Sequence, residues 1–407
     1  MSHRFRDRLV TIAGHSRYLW SAEIYNHANH YGRYLTHGSM QTSSPLAGGF
    51  SQEGWDWCHI PGTTAAVLPM KKMKANVLNV DEHSGYEEML LSDEWFAGGV
   101  THKGLSGAFA MKLHEHDKYN GSLRARKSFF TFENRIICLG SDIENALKGT
   151  EVHTTLFQNA AFNETREYNY LDFRRDIVRN CNGDLYFAKD AEIHYTKGWQ
   201  YSLHEETDEQ TKGLFEKAYI NHGDVFKDGK YEYMVWMPVT EEDLTMSSDE
   251  KAVREYAKAL PYEVIRHDTA VHGVRDLASG TCAYAVFEGG KVDDVIAECS
   301  PAMVMYSLDG DVMTLSVSNP DLALYAGPSD EMFDAEGKRI ERSVFAREWV
   351  DNPCGETLVK ITLDGLWEIA DDDGCSVSVS AADGKTYLVF RSREAITEEI
   401  TLKKVEL

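Results

Sequence analysis

Short runs rich in Val, Ile, Tyr, Phe and Thr, each bounded by Gly, Asp, Asn or Pro, recur along nearly the whole chain. This is the signature of strands rather than of helices, whose apolar positions would return every three to four residues. The pattern predicts strands over 9–13, 65–68, 109–113, 128–132, 135–139, 233–237, 282–287, 302–307, 312–317, 357–363, 376–380 and 386–390. Turn sequences between them, such as Asn182-Gly183-Asp184, Asp228-Gly229 and Asp309-Gly310, supply residues that tolerate the backbone of tight reversals. One helix is predicted over 248–260, with Asp249, Glu250 and Lys251 in its first turn and Pro261 after its end. The expected architecture is all-β, built from large sandwiches. After Cys299-Ser300-Pro301 the strands shorten and Asp, Gly and Ser increase, which places a large β-domain at 1–299 and a smaller β-sandwich at 300–407.

Two segments depart from this plain pattern. Residues 16–34 gather Arg17, Glu23, Asn26, Asn29, Arg33, His27, His30 and several aromatics, including Trp20, Tyr25 and Tyr31. Arginine forks match carboxylates and sulfates, amides satisfy sugar hydroxyls, and aromatic faces stack on sugar rings. The mixture therefore suits a surface that grips an oxygen-rich, negatively charged ligand. In the second segment, 52–64, Trp55 and Trp57 stand two apart before a Pro61-Gly62 turn. On a strand they share one face, either as a flat apolar platform for a ligand or as core residues of a sandwich.

Composition narrows the partners. A 46.0 kDa chain exceeds one ordinary core, which favours two domains. No run of 18 apolar residues exists, so nothing spans a membrane as a helix, and the first eight residues lack the apolar centre of a signal peptide. Seven cysteines without a CxxC pair argue against a disulfide framework or a zinc site. A net charge of −23 weighs against nucleic acid. Locally the balance reverses: residues 1–37 hold five Arg and five His against Asp7 and Glu23. Lys71, Lys72 and Lys74 make a second basic point, and Lys118, Arg124, Arg126 and Lys127 a third; of these, Arg124, Arg126 and Lys127 either guide a polyanion or form a solvated sheet face.

The ordered blocks Trp20-Ser21-Ala22-Glu23-Ile24-Tyr25-Asn26, Tyr31-Gly32-Arg33-Tyr34, Gly54-Trp55-Asp56-Trp57 with Ile60-Pro61-Gly62-Thr63-Thr64, Arg124-Ala125-Arg126-Lys127-Ser128, Asn134–Ile143 and Thr154-Thr155-Leu156-Phe157-Gln158 make the chain resemble the polysaccharide lyases of family 8, the chondroitin, hyaluronate and xanthan lyases, and most closely their chondroitin ABC branch. The resemblance implies a large β-supersandwich of the galactose mutarotase-like kind followed by a small C-terminal β-sandwich. It also implies β-elimination on uronic-acid polysaccharides of the chondroitin sulfate and hyaluronan class. In the family a helical α/α toroid precedes the β portion and supplies His, Tyr and Arg; the β portion supplies Glu and Asn, matched here by Glu23 and Asn26 as catalytic residues. Arg17, Tyr25, Arg33, Trp55 and Trp57 are the substrate-binding candidates, which should share one concave surface with Glu23 and Asn26.

The toroid's residues have no counterparts in these 407 positions. The resemblance therefore implies either a β portion that works with a separate toroid domain or chain, or a non-catalytic glycan-binding module that has lost it. A third option is a mutarotase-like sugar enzyme with its own His and Glu pair. The expected partner is an acidic polysaccharide, the expected location extracellular or periplasmic, and no cofactor is expected. His114 and His116, alternating on a strand, offer two metal ligands or a solvated edge. Asp142, Glu144 and Asn145 offer oxygen ligands for a structural divalent cation such as calcium, or a polar loop.

Overall fold

A computed structural model describes residues 1–25, 28–44, 49–77, 79–82, 86–160 and 176–405. Each of the twelve predicted strands overlaps an observed one. They assemble into sheets stacked face to face, and the residues of single strands show why. In the strand Arg135–Asn145, Ile136 and Cys138 face one core while Ile137 and Leu139 face another. Both faces are buried, so the strand reads as a continuous apolar run rather than an alternating one.

This strand lies at the centre of an antiparallel seven-stranded sheet, ordered Ile177–Arg179, Leu185–Lys189, Phe226–Trp236, Arg135–Asn145, Arg124–Phe132, Ser106–His114, Ala97–His102. One face packs on a three-stranded sheet (Ser2–Phe5, Arg8–Gly14, His37–Ser43) through Val10, Ile12 and Met40. It also packs on a four-stranded sheet (His194–Leu203, Gln210–Asn221, Val152–Ala160, Thr64–Ala66) through Leu156, Phe157 and Ala218. The other face packs on a second seven-stranded sheet, ordered Tyr262–His267, Val271–Asp276, Cys282–Val286, Ala302–Asp309, Val312–Ser318, Glu398–Lys404, Trp367–Asp371. Ala283, Ala285, Met303 and Met305 make that contact, while Tyr284, Val304 and Tyr306 between them face an outer four-stranded sheet (Ile296–Cys299, Thr357–Asp364, Lys385–Ser392, Val377–Ala382). The large and small β units of the sequence reading are thus joined through a shared hydrophobic core.

Polar pins cross these layers. His272 bonds Ser128 at 2.8 Å and Ser141 at 2.7 Å, His102 bonds Ser316 and Ser307, and Arg135 pairs with buried Asp276 at 2.9 Å. Lys127, read as one of three cations on a sheet face, is fully buried: its ammonium donates to the carbonyls of His37, Gly38 and Gly62. A buried ammonium is retained where its donors are satisfied. Arg126 is half-buried and pairs with Asp142 and Glu288; Arg124 alone of the three is exposed.

The structure corrects two expectations. The helix predicted over 248–260 is shorter, Glu250–Tyr256, and follows a separate helix, Glu241–Ser248, with Asp249 between them in an extended conformation. The Asp249 carboxylate caps the second helix at Lys251 N, and a reciprocal Thr240–Asp243 capping box starts the first. In addition, strand pairing runs straight across the division expected at 299/300, because Cys282–Val286 pairs with Ala302–Asp309 in one sheet. The pairing favours a division in the helical connection before Tyr262, where the sheets change.

Candidate functional site

The segment 16–34 forms a short wall. Glu23–Tyr25 is a three-residue strand paired with Glu87–Met89. Its central Ile24 is buried while Glu23 and Tyr25 project outward, the period-2 consequence of one apolar residue between two polar ones. The Tyr25 hydroxyl donates to the Glu23 carboxylate. That hydrogen bond, more than burial, pushes the phenol up to about 12, with Glu87 adding to it. The backbone then reverses between Tyr25 and Ala28, whose N–H and C=O groups bond at 3.0 and 3.3 Å. Asn26, the second catalytic candidate, lies outside the described residues.

Asn29 fixes the exit of this reversal. Its backbone is left-handed (φ 57°), its amide donates to the Glu23 carbonyl at 2.9 Å, and its carbonyl accepts from Gly32 N at 3.1 Å. A Cβ on Gly32 would collide with the Asn29 side chain, so this approach needs glycine. Beyond Gly32 the chain dives inward. The Tyr31 hydroxyl donates to Asp208 at 2.7 Å, Lys74 pairs with the same carboxylate, and His30 Nδ1 lies 3.7 Å from it. The hydrogen bonds from Lys74 and then Tyr31 hold the Asp208 carboxyl below its usual range. Asp208 sits in the turn between His194–Leu203 and Gln210–Asn221, about as far along the sequence from Tyr31 as the site reaches. Lys71 and Lys72 remain exposed on the adjoining helical turn Met70–Met73.

The remaining candidates do not share this surface. Trp55 and Trp57 are each only 2% exposed and pack with Tyr31, Tyr34, Ile60 and Phe215. The period-2 reading of 52–64 fails because Gly54 and Gly62 adopt positive φ (84° and 81°) and turn the chain, so strand begins only at Thr64. Both indoles are core. Arg33 is also interior at 4% exposure: its guanidinium lies 4.1 Å from the Tyr119 ring centroid and donates to the Tyr34 hydroxyl. Arg17 is half-buried, lies over the Tyr325 ring at 4.3 Å and donates to the carbonyls of Gly327 and Pro328, tying the wall to the loop after the strand Val312–Ser318. The structure thus brings Glu23 and Tyr25 together and uses Arg17 and Arg33 behind them. Asn29 and Lys74, noted in the sequence only as part of a polar segment and of a basic point, join the site, and Glu87 and Asp208 join it without a local sequence signal.

Arg33 faces Glu115, which is 3% exposed and has no hydrogen-bond partner for either carboxylate oxygen among the described residues. Burial pushes the Glu115 carboxyl up to about 7, against the opposing pull of Arg33 and His114. A carboxyl raised in the folded state binds its proton more tightly there than when unfolded. Its stabilising contribution is complete below the unfolded value, near 4.5, and is lost as pH rises to about 7. The expected loss is about 3 kcal/mol over that window at 1.36 kcal/mol per pH unit. Glu115→Gln should flatten the profile, which urea denaturation at pH 5 and pH 7.5 will show.

A cleft of about 660 Å³ adjoins the wall, lined by Asp93, His114, His116, Lys118, Phe333 and Arg339 among others. Lys118 on its rim contacts both Glu88 and Glu341. His114 has both ring nitrogens engaged, with Asp93 at 2.5 Å and the Gly121 carbonyl at 2.9 Å, and His116 accepts from Lys118 N. Asn145 uses its amide to bond Asn120 and backbone carbonyls, while Asp142 and Glu144 pair with arginines. Among the described residues no group of three or more His, Cys, Asp or Glu is placed to hold a metal ion.

Comparison with known proteins agrees with this layered architecture. The pattern described as polysaccharide lyase family 8, super-sandwich domain, matches residues 1–248, and that of the family 8 C-terminal beta-sandwich domain matches residues 263–324. The chain belongs to polysaccharide lyase family 8. It is 40% identical to a chondroitin sulfate ABC exolyase of Bacteroides thetaiotaomicron over 98% of its own length and 40% of that protein. It is 36% identical to a chondroitin sulfate ABC exolyase of Proteus vulgaris over 89% of its length and 37% of that protein. The chain therefore spans about two fifths of the length of these relatives. The fold also superimposes on a chondroitin AC lyase of Streptomyces coelicolor A3, solved in complex with chondroitin sulphate, with a TM-score of 0.69 at 17% identity, covering 99% of this chain and 48% of that one.

Proposed function

We propose that this chain forms the β-rich wall of a cleft in which a uronate-containing glycosaminoglycan of the chondroitin sulfate and hyaluronan class is cleaved by β-elimination. The observation that carries the reading is the outward Glu23 carboxylate, held by the Tyr25 phenol and braced by Asn29, in a chain of this family whose relatives are named chondroitin sulfate ABC exolyases. In such an elimination a base takes the proton at C5, the bond from C4 to the glycosidic oxygen breaks, and that oxygen leaves with a proton. The phenol of Tyr25, pushed up to about 12, keeps its proton near neutral pH and serves as a donor to Glu23 rather than as the base. The proton-transfer groups then come from a partner, a helical toroid domain or chain facing this wall, while Glu23 and Asn26 orient them and the uronate. A polymer substrate is met outside the cytoplasmic membrane, which is where this reading places the protein.

The same observations serve a second reading, a glycan-binding module without catalysis, because the Tyr25 phenol keeps its proton near neutral pH and is no base there. Both readings require binding. Titration of the 407-residue chain with a chondroitin sulfate hexasaccharide is expected to show weak affinity that falls as salt screens the exposed Lys71 and Lys72. Reversing both lysines to Glu should weaken it further. Affinity that ignores salt, or no binding at low ionic strength, would count against the site.

A further inference from the structure

The strand His194–Leu203 stands at the edge of the four-stranded sheet and carries two large aromatics on its surface. Trp199 is 52% and Tyr201 65% exposed. Both project from one side of the strand. Gln200 between them turns the other way, donating to the Gly54 carbonyl at 3.2 Å and to Gln158 Oε1 at 2.9 Å, and Ser202 beyond is buried. On the neighbouring strand Gln210–Asn221, Lys212 is paired with Tyr201 and Leu214 with Trp199. The Lys212 ammonium lies over the indole, 4.9 Å from the ring centroid. Lys197, on the same side of the strand as Trp199, is exposed as well.

The core does not account for these side chains. Aromatics of this sheet that serve the core are covered, Phe157 at 2% and Phe215 at 1% exposure. Two exposed rings side by side leave apolar surface in water, and a surface of that kind marks a place of contact. Its chemistry gives the class of ligand. Amphipathic rings stack on the apolar face of a sugar, and the ammonium groups beside them meet carboxylates and sulfates. The acids of the hairpin lie elsewhere. Glu205, Glu206, Asp208 and Glu209 gather at its tip, where Lys74 pairs with Asp208. Glu216, opposite Lys197, is buried and accepts from Cys181 N and Asn159. Among the described residues, the exposed charges along this strip are positive.

We infer that Trp199, Tyr201, Lys197 and Lys212 form a second binding surface for an acidic polysaccharide, a track that holds the polymer beyond the Glu23 wall. The inference rests on the glycan reading of that wall. What joins the two places is the hairpin itself. Its tip is part of the wall, since Asp208 accepts from the Tyr31 hydroxyl and the Glu205 carbonyl accepts from His30 N at 3.2 Å. From Glu205 back to Tyr201 is about 14 Å, and to Trp199 about 20 Å, at the rise of a strand. A polymer engaged at the wall extends past the bond it presents there, and a chain held at two places is bound more tightly than at either alone.

The test is calorimetric titration of the 407-residue chain with a chondroitin sulfate dodecasaccharide at low salt. Proton–nitrogen spectra follow the Trp199 indole N–H, assigned by its absence in Trp199→Phe. The indole signal should shift on titration. Affinity should fall about tenfold in the double variant Trp199→Ala/Tyr201→Ala, and about threefold in Lys212→Glu, which keeps both rings. All three positions are exposed, so both variants should fold, and Lys212→Glu decides if the double variant does not. The variant Lys71→Glu/Lys72→Glu reports separately on the wall. An unmoved indole signal, with affinity unchanged in both strip variants, would overturn the track whether or not the wall variant loses binding. Loss in the strip variants alone would keep the track and remove the wall. Self-association that disappears in Trp199→Ala while glycan affinity stays the same would assign the rings to a second copy of the chain, and would overturn the track too.

Discussion

Glu23→Gln, tested in the chain joined to the helical region that its family relatives imply, is expected to lower the turnover of chondroitin sulfate by about 10²–10⁴-fold, the range typical of groups that assist proton transfer. Glu23 is exposed and its neighbour Ile24 carries the burial, so the amide variant should fold normally. Its effect should fall on kcat, with KM little changed, because the carboxylate orients the transfer groups rather than gripping the polymer. Tyr25→Phe should be milder, since it removes a donor to Glu23 and leaves the carboxylate in place. Steady-state kinetics of both variants will check this; a Glu23→Gln enzyme within threefold of the wild type would remove Glu23 from the site.

The second large effect concerns a residue whose expected role the structure reverses. Trp57→Ala should destabilise the chain by about 3–5 kcal/mol, the usual range for removing a buried aromatic side chain, whereas a platform on the surface would change stability within about 0.5 kcal/mol. Trp57 lies 6.3 Å from both Tyr31 and Phe50, and Trp55 packs on Phe215 at 5.9 Å, so truncation leaves a hole next to the wall. Trp57→Phe should be far gentler, because the indole N–H finds no acceptor among the described residues and is no loss. Urea denaturation reads both; loss of glycan binding in Trp57→Ala at unchanged stability would restore the platform.

These two residues also show what the sequence could convey. Glu23 and Tyr25 were candidates from the resemblance and the polar mixture of 16–34, and the structure turns both outward because one buried isoleucine stands between them on a short strand. The place of Trp55 and Trp57 was not legible, since two aromatics two residues apart look the same on a ligand platform and in a core. What decides between them is the pair of left-handed glycines, Gly54 and Gly62, that break the strand. Arg33 was misread for a related reason: an arginine surrounded by Tyr34, Tyr119 and Glu115 can be interior, and two of those partners lie more than eighty positions away. Asp208 was invisible for the same cause.

The strands themselves were easy to place because burial on both faces gives long apolar runs, as at Ile136 to Leu139. Their grouping was harder. Nothing local tells that Cys282–Val286 pairs with Ala302–Asp309 across the composition change near 299. The second helix was legible from its acidic first turn and Pro261, whereas the first was not read from its start signal, the Thr240–Asp243 box.

The account rests on β-elimination carried out between this wall and a helical partner. The direct measurement is the ultraviolet absorbance of unsaturated uronate when chondroitin sulfate is incubated with the 407-residue chain alone and with the chain joined to a helical toroid of the proposed kind. Absorbance should grow only in the joined enzyme, because the Tyr25 phenol keeps its proton near neutral pH and the proton-transfer groups are proposed to come from the toroid. Steady product from the 407 residues by themselves, or none from the joined enzyme, would contradict it.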